Sequence, residues 1–138
     1  AQDALSYLHR LAESEVPVSS GKFDTTRLSL VLLELATGRR HQLRRHLKHL
    51  AHPIIGDATY GKGPLNRVLA EYFGGERRLL QCGRISFIHP RTQKRLTIDD
   101  QPSGLMRHVI ERLEWGNYLH ASYSRDWHLF DYSDLLVK

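Results

Sequence analysis

Thr37-Gly38-Arg39-Arg40-His41-Gln42-Leu43-Arg44-Arg45-His46-Leu47-Lys48 is where the chain changes character. Upstream, Thr25 to Ala36 is Leu-rich and β-branched, with Leu28, Leu30 and Leu32 two apart, the period of a strand covered on at least one face. Downstream, Leu43, Leu47 and Leu50 recur at helical spacing as far as Pro53, so the Thr37-Gly38 break predicts a switch from strand to helix. At 100° per residue those three leucines fall within about 60° of one another, a narrow stripe suited to docking on a sheet. Arg40, Arg44 and Lys48 line its shoulder. A cation there calls for an acceptor in fixed geometry, and a planar guanidinium fork suits a carboxylate or a phosphate. The helix N-terminus after Gly38 adds backbone N–H groups and partial positive charge. The segment therefore reads as an anion-receiving corner, although periodicity alone fits a solvated face with an occasional surface ion pair equally well.

Charge is concentrated in the same region. Between Arg39 and Lys62 stand six Lys/Arg and one acid, a local +5 that equals the net charge of the whole chain. So uneven a distribution points to an anionic partner on one face and argues against basicity spread for solubility. Working outward, residues 4–15 carry Leu5, Tyr7, His9 and Leu11 on one parity, as a half-buried strand paired with the Thr25–Ala36 strand would. Pro17 and Ser19-Ser20-Gly21 close that strand. Residues 54–63, with Gly56, Gly61 and Gly63, predict a folded loop, and Leu65–Phe73 a short helix ended by Gly74-Gly75. Leu79–Ile88 and Arg95–Ile98 predict two strands joined by a turn at Pro90-Arg91-Thr92-Gln93. Leu105–Trp115 predicts an amphipathic helix with Leu105, Val109, Leu113 and Trp115 as core candidates. Beyond Gly116 the aromatic, mixed-charge tail gives no assignment.

At 138 residues, 41% hydrophobic and 25% charged, the chain suits one compact domain. It has no apolar run near the roughly 18 residues of a membrane span and no signal-peptide succession, so the expectation is a cytoplasmic protein with no membrane partner. A single cysteine, Cys82, excludes an intramolecular disulfide and a thiolate cage within one chain, and it is expected to be a small buried hydrophobe. His41, His46, His49 and His52 lack the i,i+4 pair of helical zinc ligands, so no metal is expected.

Read in order, Thr37 to Arg44, then His52-Pro53-Ile54-Ile55-Gly56-Asp57 and Tyr60-Gly61, resemble the motif of the RluA family of pseudouridine synthases. The resemblance continues through Leu79-Leu80 and Ser86-Phe87-Ile88-His89-Pro90, and upstream through Pro17 and Thr25-Thr26-Arg27, covering about residues 4–115. The doubled basic pairs and the helix after Pro102 are most similar to a tRNA-modifying subgroup. The resemblance implies an α+β fold, a mixed and mainly antiparallel sheet with packed helices. Residues 1–116 would be the C-terminal portion of the catalytic domain and residues 117–138 a tail. It also implies an enzyme without cofactor that flips a uridine out of the RNA, breaks its glycosidic bond with the help of an aspartate, and rejoins the ring through carbon. The implied partner is RNA, with a tRNA stem position favoured and ribosomal RNA the alternative.

By the same resemblance, Arg44 matches the arginine that pairs with the catalytic aspartate, and His41 and Gln42 brace the pocket through hydrogen bonds. Asp57 and Tyr60 match a loop near the cleft, where Asp57 is expected to form a turn and Tyr60 to pack. Arg39, Arg40, Arg45 and Lys48 are the expected phosphate contacts. The sequence departs from the family at the chemistry. Its aspartate sits in a His-Arg-Leu-Asp segment, whereas His9-Arg10-Leu11-Ala12 puts alanine at that place and lies too close to Arg44. No residue is assigned as the tyrosine that stacks on the flipped base. Gln81-Cys82 also replaces the common His-Ala. With Ala1 in place of a methionine, the chain is expected to be the C-terminal part of a longer synthase, inactive alone and self-associating through exposed sheet edges. The other class open to it is a non-catalytic RNA-binding module.

Overall fold

The computed structural model describes residues 3–124, and over these the chain is α+β, with four helices and two two-stranded antiparallel sheets. Strands β1 (Ser6–Val16) and β2 (Thr26–Leu35) pair from Ser6 opposite Leu35 to Val16 opposite Thr26. The predicted parity of β1 holds only as far as Leu11. A bulge between Arg10 and Ala12 leaves Leu11 as an extra residue, so the more covered positions pass from Tyr7, His9 and Leu11 to Ala12, Ser14 and Val16. One inserted residue resets the period-2 alternation and keeps the same face covered. On β2, Leu28 and Leu30 are buried opposite Ser14 and Ala12.

Helix α1 (Gln42–His49) follows the Thr37-Gly38 break, and α2 (Gly63–Phe73) starts with Pro64 in its first turn and stops at Gly74 in the left-handed region. Strands β3 (Arg84–Ile88) and β4 (Arg95–Asp99) form a separate hairpin, followed by α3 (Gly104–Arg112) and α4 (Gly116–Tyr123). The core gathers Val16, Leu28, Leu30, Leu69, Phe73, Val109, Ile110 and Trp115 from β1, β2, α2, α3 and the turn before α4. Trp115 also donates its indole N–H to Ser14 Oγ at 2.8 Å, so its polar edge is satisfied where its ring is buried. Helix α4 forms beyond the last element that the residue pattern predicts, and Leu119 packs it onto the core. Residues 125–138 of the expected tail lie outside the described residues. No helix among the described residues is long and apolar enough to cross a membrane.

Three expectations need correction. Leu50 does not join the α1 stripe: Leu47 is buried and Leu43 half-buried, but Leu50 is 57% exposed. The helix ends at His49 and Ala51 turns the chain at φ 61°, so Leu50 leaves the helical period just where the stripe needs it. The strand predicted from Leu79 begins only at Arg84, because the preceding segment sends its hydrogen bonds elsewhere, Leu79 N–H to the Ile55 carbonyl and the Gln81 side chain to the Gln101 carbonyl. Cys82 is exposed rather than buried, since it sits in that segment outside the sheet.

Candidate active site at the β2–α1 corner

The corner is assembled around Gln42, the first residue of α1 and 4% exposed. Its Oε1 accepts from Thr37 Oγ1 at 2.7 Å and from the Arg39 backbone N–H at 3.0 Å, while Nε2 donates to the Leu5 carbonyl at 2.9 Å and to Ser6 Oγ at 2.8 Å. All four hydrogen-bonding positions of the amide are used. The Leu5 N–H also donates to Thr37 Oγ1 at 2.9 Å, and Ser6 Oγ lies 3.0 Å from His46 Nδ1. One buried amide thus ties the start of β1, the break after β2 and the head of α1 together. It braces the backbone under the site.

One turn further along α1, Arg44 meets Asp57 in a two-pronged ion pair: Nε donates to Oδ2 at 2.7 Å and Nη2 to Oδ1 at 2.8 Å. The Asp57 side chain is 0% exposed and that of Arg44 12%. Asp57 Oδ1 accepts two more hydrogen bonds, from the backbone N–H groups of Thr59 and Tyr60, each at 3.0 Å, which makes the turn expected of this residue. The Arg44 guanidinium holds the carboxyl well below the usual carboxylate range, with burial opposing and the two backbone N–H groups assisting. A carboxylate so saturated and so enclosed is a fixed anion.

The loop geometry depends on two glycines. Gly56 adopts φ +78°, and a Cβ there would stand 2.0 Å from the Arg77 carbonyl oxygen. At Gly61 a Cβ would stand 2.3 Å from the Asp57 carbonyl oxygen, which accepts the Gly61 N–H at 3.0 Å. Asn66 closes the loop from α2, accepting from the Gly56 N–H and donating to the Asp57 carbonyl. Tyr60 projects from this loop against the cations: Arg44 Cζ lies 4.9 Å and Lys48 Nζ 5.8 Å from its ring centroid, within cation–π range. Its hydroxyl is 3.1 Å from His41 Nδ1, with the two rings edge to face. His41 caps α1 in the left-handed region at φ 55°. Burial, then the charges of Arg44, Arg40 and Arg78, lower its pKa, so the imidazole is kept neutral beside the arginines.

No protein-family model matches the chain. Curated relatives do match it. The tRNA pseudouridine synthase C of Vibrio vulnificus is 44% identical over 119 residues, which cover 86% of this chain and 49% of that protein. That of Vibrio cholerae is 47% identical over 115 residues, 83% of this chain and 47% of that protein. That of Haemophilus ducreyi is 50% identical over 98 residues, 71% of this chain and 40% of that protein. The chain belongs to the pseudouridine synthase family.

The chain spans about half the length of the curated relatives it matches. Its expected phosphate-contact residues are exposed and distributed around α1: Arg39 and Arg40 in the turn before it, Arg45 and Lys48 along it. Lys48 leans over Tyr60, and the Arg39 Nε donates to the Asp3 carbonyl at 3.3 Å. Sequence reasoning gave Arg44 an acid lying outside the chain. The structure supplies one from within it, thirteen residues downstream. The available signal was Asp57 in a Gly-Asp-Ala-Thr-Tyr turn, but only the folded loop brings that turn to α1. Sequence reasoning also missed Asn66, which holds the loop from α2.

Proposed function

We propose that this chain forms the cation-bearing part of a tRNA pseudouridine synthase, working with residues outside these 138. In the reaction the target uridine leaves the RNA stack, its glycosidic C–N bond breaks, and the ring rejoins the sugar through carbon. The proton displaced from that carbon is balanced by one gained at the freed nitrogen. Nothing is added or lost overall, so no cofactor is called for. Extruding the base costs a few kcal/mol, which contacts in the site must offset.

The observation that carries this reading is the buried Arg44–Asp57 pair beneath Tyr60, in a chain 40–50% identical to tRNA pseudouridine synthase C sequences. Asp57 engages Nε and Nη2 of Arg44, whereas Nη1 has no hydrogen-bond partner among the described residues. In the proposal that remaining edge receives the reacting carboxylate, which the adjacent guanidinium orients and keeps ionised. Asp57 then holds the arginine, and the incoming acid does the chemistry. Exposed Arg39, Arg40, Arg45 and Lys48 take the RNA backbone, giving affinity that falls with salt and carries no base preference. The relatives' names favour tRNA over ribosomal RNA, and a tRNA substrate accords with a cytoplasmic protein.

Profiling pseudouridine in total RNA from cells lacking the parent gene tests this. The expected result is loss of the modification from tRNA, restored by the parent protein but not by its Arg44→Ala variant. Restoration by Arg44→Ala would remove the residue on which the reading stands. A parent that binds tRNA yet restores no pseudouridine would mark an RNA-binding module instead.

A further inference from the structure

Arg78 reaches the same corner from a separate part of the chain. Residues 77–79 lie against the loop that opens at Gly56. The Leu79 N–H donates to the Ile55 carbonyl at 2.9 Å, and a Cβ on Gly56 would stand 2.9 Å from the Arg78 Cα. The glycine that precedes Asp57 is therefore what lets this segment come so close. Arg77 Nη1 lies 3.5 Å from where a Cβ on Gly104 would sit, at the head of α3. Arg78 is one of the cations, with Arg44 and Arg40, whose charge lowers the His41 pKa.

Arg78 is exposed, and it has neither a hydrogen bond from its guanidinium nor an ion pair among the described residues. Some arginines elsewhere are given an acid, Arg10 by Glu13, Arg84 by Asp99 and Arg107 by Glu111. At this corner the Asp57 carboxylate is taken up by Arg44. Arg78 and, on the other segment, Arg39, Arg40, Arg45 and Lys48 make no ion pair among the described residues, and the summed field of such cations suits a polyanion. Resting on the function proposed above, we infer that Arg78 is a phosphate-binding residue for the RNA substrate. Backbone contact at the Arg44–Asp57 corner is then shared between residues 39–48 and residues 77–79.

The test uses the full-length parent as wild type, Arg78→Ala and Arg78→Lys, with tRNA binding followed against salt and turnover followed against tRNA concentration. Loss of one phosphate contact in Arg78→Ala is expected to reduce the slope of log affinity on log salt by about 0.7–0.9. KM should rise with kcat retained, as when binding common to ground and transition states is removed. The melting temperature should not move, and Arg78→Lys should restore the slope, because a point charge still meets phosphate. An Arg78→Ala enzyme with the wild-type slope and KM, in a parent that binds and modifies tRNA, overturns this inference and leaves the function standing. Weakened binding that tracks a lowered melting temperature and is not rescued by lysine overturns it too, since that marks a packing role. A wild-type parent that neither binds nor modifies tRNA overturns both.

Discussion

The β2–α1 corner and the β3–β4 hairpin treat their polar and apolar groups in opposite ways. At the corner, two polar side chains are inside and well bonded: Gln42 uses all four hydrogen-bonding positions, and Asp57 accepts from Arg44, Thr59 and Tyr60. In the hairpin, the cross-strand pairs Ile85–Ile98 and Phe87–Leu96 share a face, and each of the four is between 37% and 53% exposed. The alternate positions hold the Arg84–Asp99 ion pair and the Ser86–Thr97 hydrogen bond. Arg84 also donates to the Tyr123 carbonyl, and the Tyr123 hydroxyl to the Asp100 carbonyl, which ties the hairpin to α4. A satisfied buried network specifies its own geometry, whereas an uncovered two-stranded hairpin contributes little stability by itself. Substitutions should accordingly be costly at the corner and nearly neutral on the hairpin face.

The largest effect is expected at Asp57. Replacing it with alanine leaves the Arg44 guanidinium enclosed without its anion, and denaturant unfolding of the chain should show a loss on the order of 3–5 kcal/mol. Next comes Gly56→Ala, which forces a left-handed backbone on alanine and a Cβ into the Arg77 carbonyl; a loss of about 1–3 kcal/mol is expected by the same measurement. On the hairpin, Ile98→Thr should shift stability by no more than about 0.5 kcal/mol. That face should instead govern association. Sedimentation of the chain is expected to show self-association that weakens in Ile98→Thr, and a strictly monomeric wild type would contradict this. A hairpin substitution as costly as Asp57→Ala would erase the contrast between the two regions.

Acid sharpens the same comparison. The Asp57 carboxyl titrates below its unfolded counterpart, whose pKa is about 3.9. The unfolded chain thus takes up the proton first on acidification. The contribution is fully present above the unfolded pKa and is lost as pH falls from there towards the folded value. Unfolding curves between about pH 5 and pH 2 should decline less steeply in Asp57→Asn than in the wild type. Equal slopes would mean that Asp57 is not the acid-sensitive group.

Local periodicity made the strands and helices legible, because Leu28 and Leu30 on β2 and Leu43 and Leu47 on α1 each repeat within a few residues. What periodicity could not show was decided at a distance. The bulge at Leu11 appears only in the register of β1 against β2. Helix α4 carries little amphipathic pattern in Gly116-Asn117-Tyr118-Leu119 and forms on the core through Leu119. At the site, Arg44 was marked by the motif, whereas its partner Asp57 depends on a loop that closes only because Gly56 and Gly61 allow close approach. Arg78 was invisible for the same reason, since its place follows from Gly56 rather than from its own neighbours.

The most direct measurement is the single-turnover rate of pseudouridine formation by the full-length parent carrying Arg44→Lys, with tRNA affinity measured alongside. Lysine keeps the charge but cannot bond Asp57 through two parallel N–H groups while offering a third nitrogen to a second carboxylate. The account predicts that the chemical step falls by at least about tenfold, corresponding to a loss of roughly 1.4 kcal/mol of transition-state stabilisation, while tRNA binding is kept. An unchanged rate would contradict it.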